Sequence, residues 1–387
     1  MSNPFLFGKI VTGEHFCNRE EEKRILEENL KGGQSLVVIS PRRMGKSSLL
    51  AVIANRFRSS GIVCGRIDYY ALKSSRKIIE ETVRICAELM LNQESSLKRF
   101  LTSTADIFKR TRIAIEPTPD GGYSVRPELA LPLEVRTSLT EAIIGLDKFL
   151  GGKEKKGVLV MDEFQEISAI DKDGAESLEA EFRTVVQATN HLSFAFLGSR
   201  ASLLTEMFTV RRRPFFQAAK IMELGPIDRN SLKKYINRRF KTAGISIRNL
   251  DIILDIVEGH PDYTQRFCSH LYDRLVKDGN TLESISLSDT VIQQTLKEMI
   301  EGCLPIFLAE WDNYPIRQQQ VLSLLADKGP IKRVPALYLA EYDMAPTSFN
   351  TALKELRRKG AVRVDDNGNH YVADPIFGRW ISRKDRI

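Results

Sequence analysis

Three consecutive residues, Gly45, Lys46 and Ser47, have the chemistry to hold a phosphate group. They end the stretch "SPRRMGKSS", which fits the pattern Gly-x-x-x-x-Gly-Lys-Ser/Thr except that Ser40 replaces the first glycine. In such a loop backbone N–H groups surround the β-phosphate, the lysine bridges β- and γ-phosphates, and the hydroxyl binds Mg²⁺. The sequence therefore predicts a site for ATP and Mg²⁺ made by the loop residues Ser40, Arg43, Met44, Gly45, Lys46, Ser47 and Ser48.

Two carboxylates follow the apolar stretch "GVLVMDEF" (157–164). Asp162 stands where a carboxylate would organise the Mg²⁺, together with Ser47. Glu163 stands where a carboxylate would orient or deprotonate an attacking water. Glu166, three residues further on, is the next candidate for this base.

A third apolar stretch, "FAFLGSR" (194–200), ends in Arg200. In a sheet of this kind the strand is expected to lie between the phosphate-loop strand and the Asp162 strand, with its carboxyl end at the γ-phosphate. Arg200 is then predicted to detect the γ-phosphate through a charge-assisted contact. A plain surface arginine is the alternative.

These residues need a parallel sheet to bring them together. Short, nearly continuous apolar stretches alternate with amphipathic ones, which is typical of an α/β fold with a parallel sheet and helices on both faces. The predicted strands are 35–40, 62–69, 157–164, 192–199 and 220–226. The segment 92–135 is rich in Pro and Gly without a clear period, and it is interpreted as an insertion or a mobile loop.

The pattern changes after Pro226. Helical patterns over 229–243, 249–258, 262–277 and 287–310 predict an all-α region, here called the lid (227–312). Two helices, a third beginning at Pro346, and a hairpin around "DDNGN" then predict a winged helix-turn-helix, here called the C-terminal segment (313–387). The predicted domains are thus 1–226, 227–312 and 313–387.

Composition excludes several classes of protein. The 387 residues are 42% hydrophobic and 28% charged, with no apolar run that could span a membrane. The N-terminus lacks the pattern of a signal peptide, and the five cysteines never form a Cys-x-x-Cys pair. We expect a cytoplasmic protein without a disulfide framework or zinc site. His260 and His270 have no partners at metal-ligand spacing, so both are expected to be structural.

The combination of motifs resembles one known family. "FCNREEE" (16–22), "SPRRMGKSS", "LVMDEF", "FLGSR" and "EGHPDYTQ" (258–265) are similar to motifs of the STAND branch of the AAA+ P-loop ATPases, most of all its archaeal-type group with a C-terminal winged helix. The resemblance covers nearly the whole chain outside 92–135. It implies that Phe16, Arg19 and Glu20 lie near the adenine, that Gly259 and Pro261 contact the nucleotide from the lid, and that Arg200 senses the γ-phosphate.

The resemblance implies an ATP-hydrolysing molecular switch that moves its lid and winged helix with nucleotide state. The first alternative is a DNA-bound AAA+ ATPase of the replication-initiator or transposition-helper kind. The second is a nucleotide-binding scaffold that barely hydrolyses ATP. ATP and ADP are the predicted ligands, a protein partner or self-association is a further candidate, and no membrane partner is expected.

Two basic regions leave their roles open. Arg211, Arg212 and Arg213 form a solvated turn, a loop that moves with nucleotide state, or an inter-subunit contact to a γ-phosphate. The stretch from Pro315 to Ile387 has 13 Lys or Arg against 8 Asp or Glu. Its third helix would place basic residues on duplex DNA or dock a protein. Lys354, Arg357 and Arg358 lie along this helix, and Arg363 follows it.

Overall fold

The computed structural model describes residues 2–108, 112–119, 122–128, 132–170, 172–198, 201–277 and 284–384. The chain forms two compact units. The sheet unit comprises Glu20–Arg42 and Leu49–Leu224. The helical unit comprises Met1–Arg19, Arg43–Ser48 and Gly225–Ile387.

Strands and helices alternate from residue 20 to residue 224. The strands are β1 (Leu36–Ile39), β2 (Val63–Asp68), β3 (Arg112–Pro117), β4 (Tyr123–Glu128), β5 (Gly157–Asp162), β6 (Leu192–Gly198) and β7 (Lys220–Glu223). The helices are α1 (Glu20–Lys31), α2 (Lys46–Ser59), α3 (Ser75–Leu91), α4 (Leu97–Thr104), α5 (Pro132–Gly152), α6 (Lys172–Ala188) and α7 (Ala201–Thr209). A 3₁₀ helix, Phe164–Ala169, follows β5.

The sheet unit is built on a five-stranded parallel sheet in the order β2-β5-β6-β1-β7. The strand that precedes Arg200 therefore lies between β5 and β1, as predicted from the sequence. Every residue of β1, β5 and β6 is buried, which requires cover on both faces of the sheet. Because the strands are parallel, Ile39, Asp162 and Gly198 lie at the same edge, where each strand ends.

The mobile-loop interpretation of 92–135 was wrong for the part of this segment that the structure describes. It contains α4 and the antiparallel pair β3–β4. Val125 is buried in the core of the sheet unit, and Ile113 and Ile115 pack against that core. The short apolar alternation of this hairpin is masked in the sequence by the surrounding Pro and Gly residues.

The lid contains the four predicted helices. They are α8 (Arg229–Thr242), α9 (Asp251–Val257), α10 (Pro261–Lys277) and α11 (Asp289–Asp312). Asp228 caps α8 by accepting the Ser231 N–H at 2.8 Å, and Ser288 caps α11 by accepting from Val291 N–H. The sequence did not predict the two-residue parallel pair β8 (Ser246–Ile247) and β9 (Ser284–Ile285).

The C-terminal segment has the element order expected of a winged helix. It contains α12 (Ile316–Lys328), α13 (Ala336–Glu341), α14 (Pro346–Lys359), the antiparallel strands β10 (Val362–Val364) and β11 (His370–Val372), and α15 (Pro375–Lys384). Lid and C-terminal segment share one core, in which Phe307 and Trp311 of α11 contact Phe377 and Trp380 of α15. None of the helices in the described part of the chain combines the length and apolarity needed to cross a bilayer.

Candidate functional site

Asp162 is a buried carboxylate at the carboxyl end of a central strand. Only 2% of the residue is exposed. Its Oδ1 accepts the Glu163 N–H at 3.0 Å, and its Oδ2 accepts from Nη2 of Arg66 at 2.7 Å. Because an ionised carboxylate is costly to bury without a partner, the Arg66 guanidinium offsets the cost of burying Asp162. The carboxylate that the sequence assigns to Mg²⁺ is thus paired with an arginine.

Glu163 lies at the turn from β5 into the 3₁₀ helix. Its backbone is left-handed, with φ of 52°, which is uncommon for a residue with a side chain. Its Oε2 accepts from Nε2 of Gln165 at 2.6 Å. Glu166, the alternative base, is buried and forms an ion pair of 3.2 Å with Lys73. Glu163 is the more accessible carboxylate of the two, which favours it as the base.

The phosphate loop turns through two left-handed residues, Arg43 (φ 62°) and Gly45 (φ 83°). α2 then begins at Lys46, whose side chain is buried, while Ser47 is half-buried. The Oγ of Ser48 accepts the Val11 N–H at 3.1 Å. Ser40, which replaces the first glycine, is fully buried and donates to its neighbour's carbonyl, Pro41 O, at 3.1 Å. A loop followed at once by a helix N-terminus is the geometry that binds phosphate groups.

Arg19 ties the phosphate loop to the two residues that precede the lid, within the helical unit. Its guanidinium, almost fully buried, donates to Met44 O at 3.2 Å and to Gly225 O at 2.7 Å. A third bond, to Pro226 O, measures 3.4 Å. Five fixed N–H donors allow an arginine to hold several carbonyls at once, which a lysine cannot do with the same geometry. Arg19 therefore sets the position of the loop backbone.

The Gly-His-Pro turn of the lid packs on the same loop. A Cβ added to Gly45 would lie 3.8 Å from Cγ of Pro261. Gly259, with φ of 75°, leaves no room for a Cβ, which would lie 2.7 Å from Ile227 O. Asp262 Oδ2 lies 3.8 Å from Nη1 of Arg43. The predicted lid residues and the phosphate loop are thus neighbours.

The second residue after this turn, Tyr263, bonds to the C-terminal segment. Tyr263 donates its hydroxyl to Asp374 Oδ2 at 2.6 Å, and burial together with the Asp374 charge raises the pKa of Tyr263. The His260 ring is tilted by 36° against the Tyr263 ring, with the ring centroids 4.3 Å apart, and burial lowers the pKa of the His260 imidazole. His260 is a packed core residue, as expected. No role was predicted for Tyr263 or Asp374, although Tyr263 lies within the quoted lid motif.

The remaining predicted residues are spread over both units. Phe16 is half-buried in the helical unit and follows a short 3₁₀ helix, Gly13–His15. Glu20 begins α1 in the sheet unit and forms an ion pair with Lys23. Arg200 lies outside the described residues.

The basic cluster at 211–213 is not uniform. Arg211 and Arg212 are exposed. Arg213 instead donates to Glu179 Oε1 at 2.6 Å and to Ser168 Oγ at 2.9 Å, and Glu179 is buried. The solvated-turn interpretation is therefore wrong for Arg213, because this side chain joins the 3₁₀ helix to α6.

Arg66 was also missed by the sequence analysis. Arg66 lies two residues before the end of β2, and its neighbours in this strand, Gly65 and Ile67, are buried. A charged residue inside an otherwise apolar strand was the available signal. Only the pairing of β2 with β5, which sets Asp68 opposite Asp162, identifies its partner.

The residues present fit a magnesium ion in their chemistry. A serine hydroxyl and a carboxylate are hard oxygen donors of the kind Mg²⁺ prefers. Among the residues that the structure describes, no group of three or more His, Cys, Asp or Glu could hold a metal by itself. Mg²⁺ usually takes one or two protein oxygens together with substrate phosphates and water.

Comparison with known proteins gives one family and a common fold. The model of an ATPase domain predominantly from Archaea matches residues 16–267. A Walker-type ATPase of Pyrococcus abyssi has a similar structure, with a TM-score of 0.67 at 20% identity over 97% of each chain. The ORC2 protein of Aeropyrum pernix, solved in ADPNP–ADP complexes, has a TM-score of 0.55 at 15% identity, over 95% of this chain and 94% of that one. No curated protein matches the chain in sequence.

Proposed function

Because the chain belongs to the ATPase family predominantly from Archaea, we propose that it binds and hydrolyses ATP and acts as a nucleotide-dependent switch of the STAND type. In this proposal the loop residues Gly45 and Lys46 hold the phosphates, and Ser47 and Asp162 hold Mg²⁺. The bound Mg²⁺ would neutralise charge on the phosphates. Phe16, Arg19 and Glu20 lie near the adenine, and Gly259 and Pro261 contact the nucleotide from the lid.

Hydrolysis in this proposal depends on Glu163. A carboxylate that accepts a proton from water is a general base, and the hydrogen bond from Gln165 holds its orientation. Arg200 is assigned to the γ-phosphate, since it follows β6, the strand between β5 and β1. A charge-assisted contact of this type stabilises the ATP-bound state by roughly 1.5–3 kcal/mol.

The observation that carries the switch is the continuous set of contacts from the phosphate loop into the C-terminal segment. Pro261 packs on Gly45 and Asp262 faces Arg43, so a ligand in the loop acts on the start of α10. The next residue, Tyr263, bonds to Asp374 of the C-terminal segment. A ligand shifts such an equilibrium only by its difference in affinity for the two states. The contact to the γ-phosphate supplies that difference, about ten- to a hundredfold.

Hydrogen exchange with and without the γ-phosphate tests the switch. We expect α8–α11, the start of the C-terminal segment and α15 to be more protected with a non-hydrolysable ATP analogue than with ADP. Arg200→Ala should remove this difference and leave ADP binding unchanged. Equal protection in both nucleotides would mean that the phosphate only anchors the ligand, and absence of turnover in the purified protein would favour a scaffold.

After the nucleotide, duplex DNA is the second candidate partner. The exposed face of α14 favours DNA binding. This face carries four exposed side chains at helical spacing, which are Thr347, Thr351, Lys354 and Arg358. Arg358 pairs with Glu355 at 2.9 Å, whereas Lys354 has no carboxylate within ion-pair distance among the described residues. A helix in the major groove uses such cations on phosphates.

Salt-dependent binding to a labelled duplex tests this partner. If α14 contacts phosphates, the double variant Lys354→Ala with Arg358→Ala should weaken binding and reduce the slope of log affinity against log salt by about two. Arg76→Ala, which removes an exposed arginine of α3, is the control. Equal slopes for the double variant and the control would assign the C-terminal segment to a protein partner.

A further inference from the structure

Arg66 and Asp162 form an ion pair at the position that the proposed function gives to Mg²⁺. The Nη2–Oδ2 distance is 2.7 Å, and the two strands that supply them, β2 and β5, are direct neighbours in the sheet. Asp162 is buried, whereas 41% of the Arg66 side chain is exposed. The carboxylate is therefore held in place, and the guanidinium is the partner with room to move.

A second carboxylate is available to the same guanidinium. Nη2 of Arg66 lies 3.4 Å from Oδ2 of Asp68, whose side chain is 52% exposed. Arg66 and Asp68 are two residues apart on β2, so they project from the same face of the sheet. The Oδ1 of Asp68 accepts the Tyr70 N–H at 3.0 Å, which fixes this carboxylate beside Arg66. One cation thus has two anionic partners, one buried and one exposed.

We propose that Arg66 is a built-in counter-cation that competes with Mg²⁺ for Asp162. In the metal-free chain the guanidinium neutralises the buried carboxylate, which would otherwise be costly to ionise. When Mg²⁺ binds with ATP, Arg66 moves onto Asp68 and frees Asp162. The strength of the Arg66–Asp162 pair relative to the Arg66–Asp68 pair then sets the Mg²⁺ concentration that nucleotide binding requires. This inference rests on the proposed function.

Substitution of Arg66 and substitution of its exposed partner Asp68 should shift the Mg²⁺ midpoint of nucleotide binding in opposite directions. Arg66→Gln removes the competing charge, so the Mg²⁺ concentration at half-maximal binding should fall by about tenfold, since like charges a few ångströms apart repel strongly at low effective dielectric. Asp68→Asn removes the exposed partner and keeps an acceptor for the Tyr70 N–H, so Arg66 stays on Asp162. The Mg²⁺ midpoint of this variant should rise by about threefold.

The experiment titrates Mg²⁺ into full-length protein with a fluorescent ATP analogue and follows its binding, not its turnover. The same analogue is then titrated in EDTA. Arg76→Ala is the matched control, because Arg76 is an exposed arginine paired with Glu80 on α3. Shifts of opposite sign for Arg66→Gln and Asp68→Asn, with the control unchanged, support competition.

Several results would overturn the inference. A higher midpoint for Arg66→Gln would mean that Arg66 merely orients Asp162, and weaker binding of Arg66→Gln in EDTA would mean that it contacts phosphate. Unshifted midpoints in both variants would reject competition and leave the proposed function standing. A wild-type chain that binds no nucleotide would reject both.

Should Arg66→Gln fail to fold, Asp68→Asn alone decides, because Asp68 is exposed and its substitution preserves shape. A raised midpoint then supports competition, and an unchanged or lowered one rejects it.

Discussion

The hydroxyl of Tyr263 donates a hydrogen bond of 2.6 Å to Oδ2 of Asp374. Tyr263 lies in the first turn of α10, two residues after Pro261, and Asp374 immediately precedes α15. The other oxygen of Asp374 accepts from the N–H groups of Ile376 and Phe377, so the same carboxylate also starts α15. One bond thus joins the lid motif at the phosphate loop to the last helix.

Tyr263→Phe should uncouple these elements. The variant loses a hydrogen bond to a charged acceptor, worth about 1.5–3 kcal/mol, and keeps the buried ring. We expect the nucleotide-dependent protection of α15 to disappear while that of α10 persists, measured by hydrogen exchange with an ATP analogue and with ADP.

Tyr314→Phe is the control for Tyr263→Phe. It removes a comparable bond of 3.1 Å to Glu310, which lies four residues away and does not link the lid motif to α15. Loss of the α15 response in the control as well would show that general destabilisation, and not this link, is responsible.

Lys46→Ala should abolish ATP binding in a folded protein. Lys46 begins α2 and is assigned to the β- and γ-phosphates, so its removal eliminates the central cation of the loop. Calorimetry measures the affinity, and circular dichroism checks the fold. Unchanged ATP affinity in the folded variant would reject the assignment of this loop.

Glu163→Gln should bind ATP normally and hydrolyse it about 10²-fold more slowly, because the amide cannot accept the proton of water. Single-turnover measurement separates binding from chemistry. Glu166→Gln is the companion variant, since Glu166 is paired with Lys73 and is expected to affect stability more than turnover. Wild-type hydrolysis by Glu163→Gln would move the base to Glu166.

The stability of the helical unit should fall on acidification because of His260. Burial lowers the pKa of this imidazole. This effect outweighs that of the Asp374 and Asp262 carboxylates, which favour the charged imidazole and raise its pKa. The Arg43 cation disfavours the charged imidazole and lowers its pKa further. The unfolded chain binds a proton as the pH falls through about 6.5, whereas the folded chain does not. Stability is therefore present above that pH and is lost below it, by at most ~1.4 kcal/mol per pH unit.

The free energy of unfolding of the wild type and of His260→Asn is measured between pH 5 and pH 8. The difference between the two slopes of this free energy against pH gives the contribution of His260. Asn keeps an acceptor for the Tyr263 N–H, which His260 Nδ1 accepts at 3.4 Å. His270→Asn is the control, because His270 lies in α10, the helix that directly follows His260. Parallel curves for wild type and His260→Asn would contradict the prediction.

The sequence by itself determined the alternation of buried strands and helices in the sheet unit, and the helices of the lid and the C-terminal segment. These features depend on local signals, because continuous apolar stretches, helical periodicity and Gly-Lys-Ser are readable without knowing what a residue touches. The loop interpretation of 92–135 failed since a short hairpin leaves only a weak alternation among Pro and Gly residues.

Only the tertiary structure decided which charges and hydroxyls meet. Arg66 and Asp162 are 96 residues apart in the chain, and Tyr263 and Asp374 are 111 residues apart. Arg213 reaches Glu179 in the same way. An arginine or tyrosine carries no sequence mark of its partner, because the pairing follows from strand register and helix packing over the whole unit. The chemistry of the site was therefore readable from the sequence, whereas the contacts that control it were set by the fold.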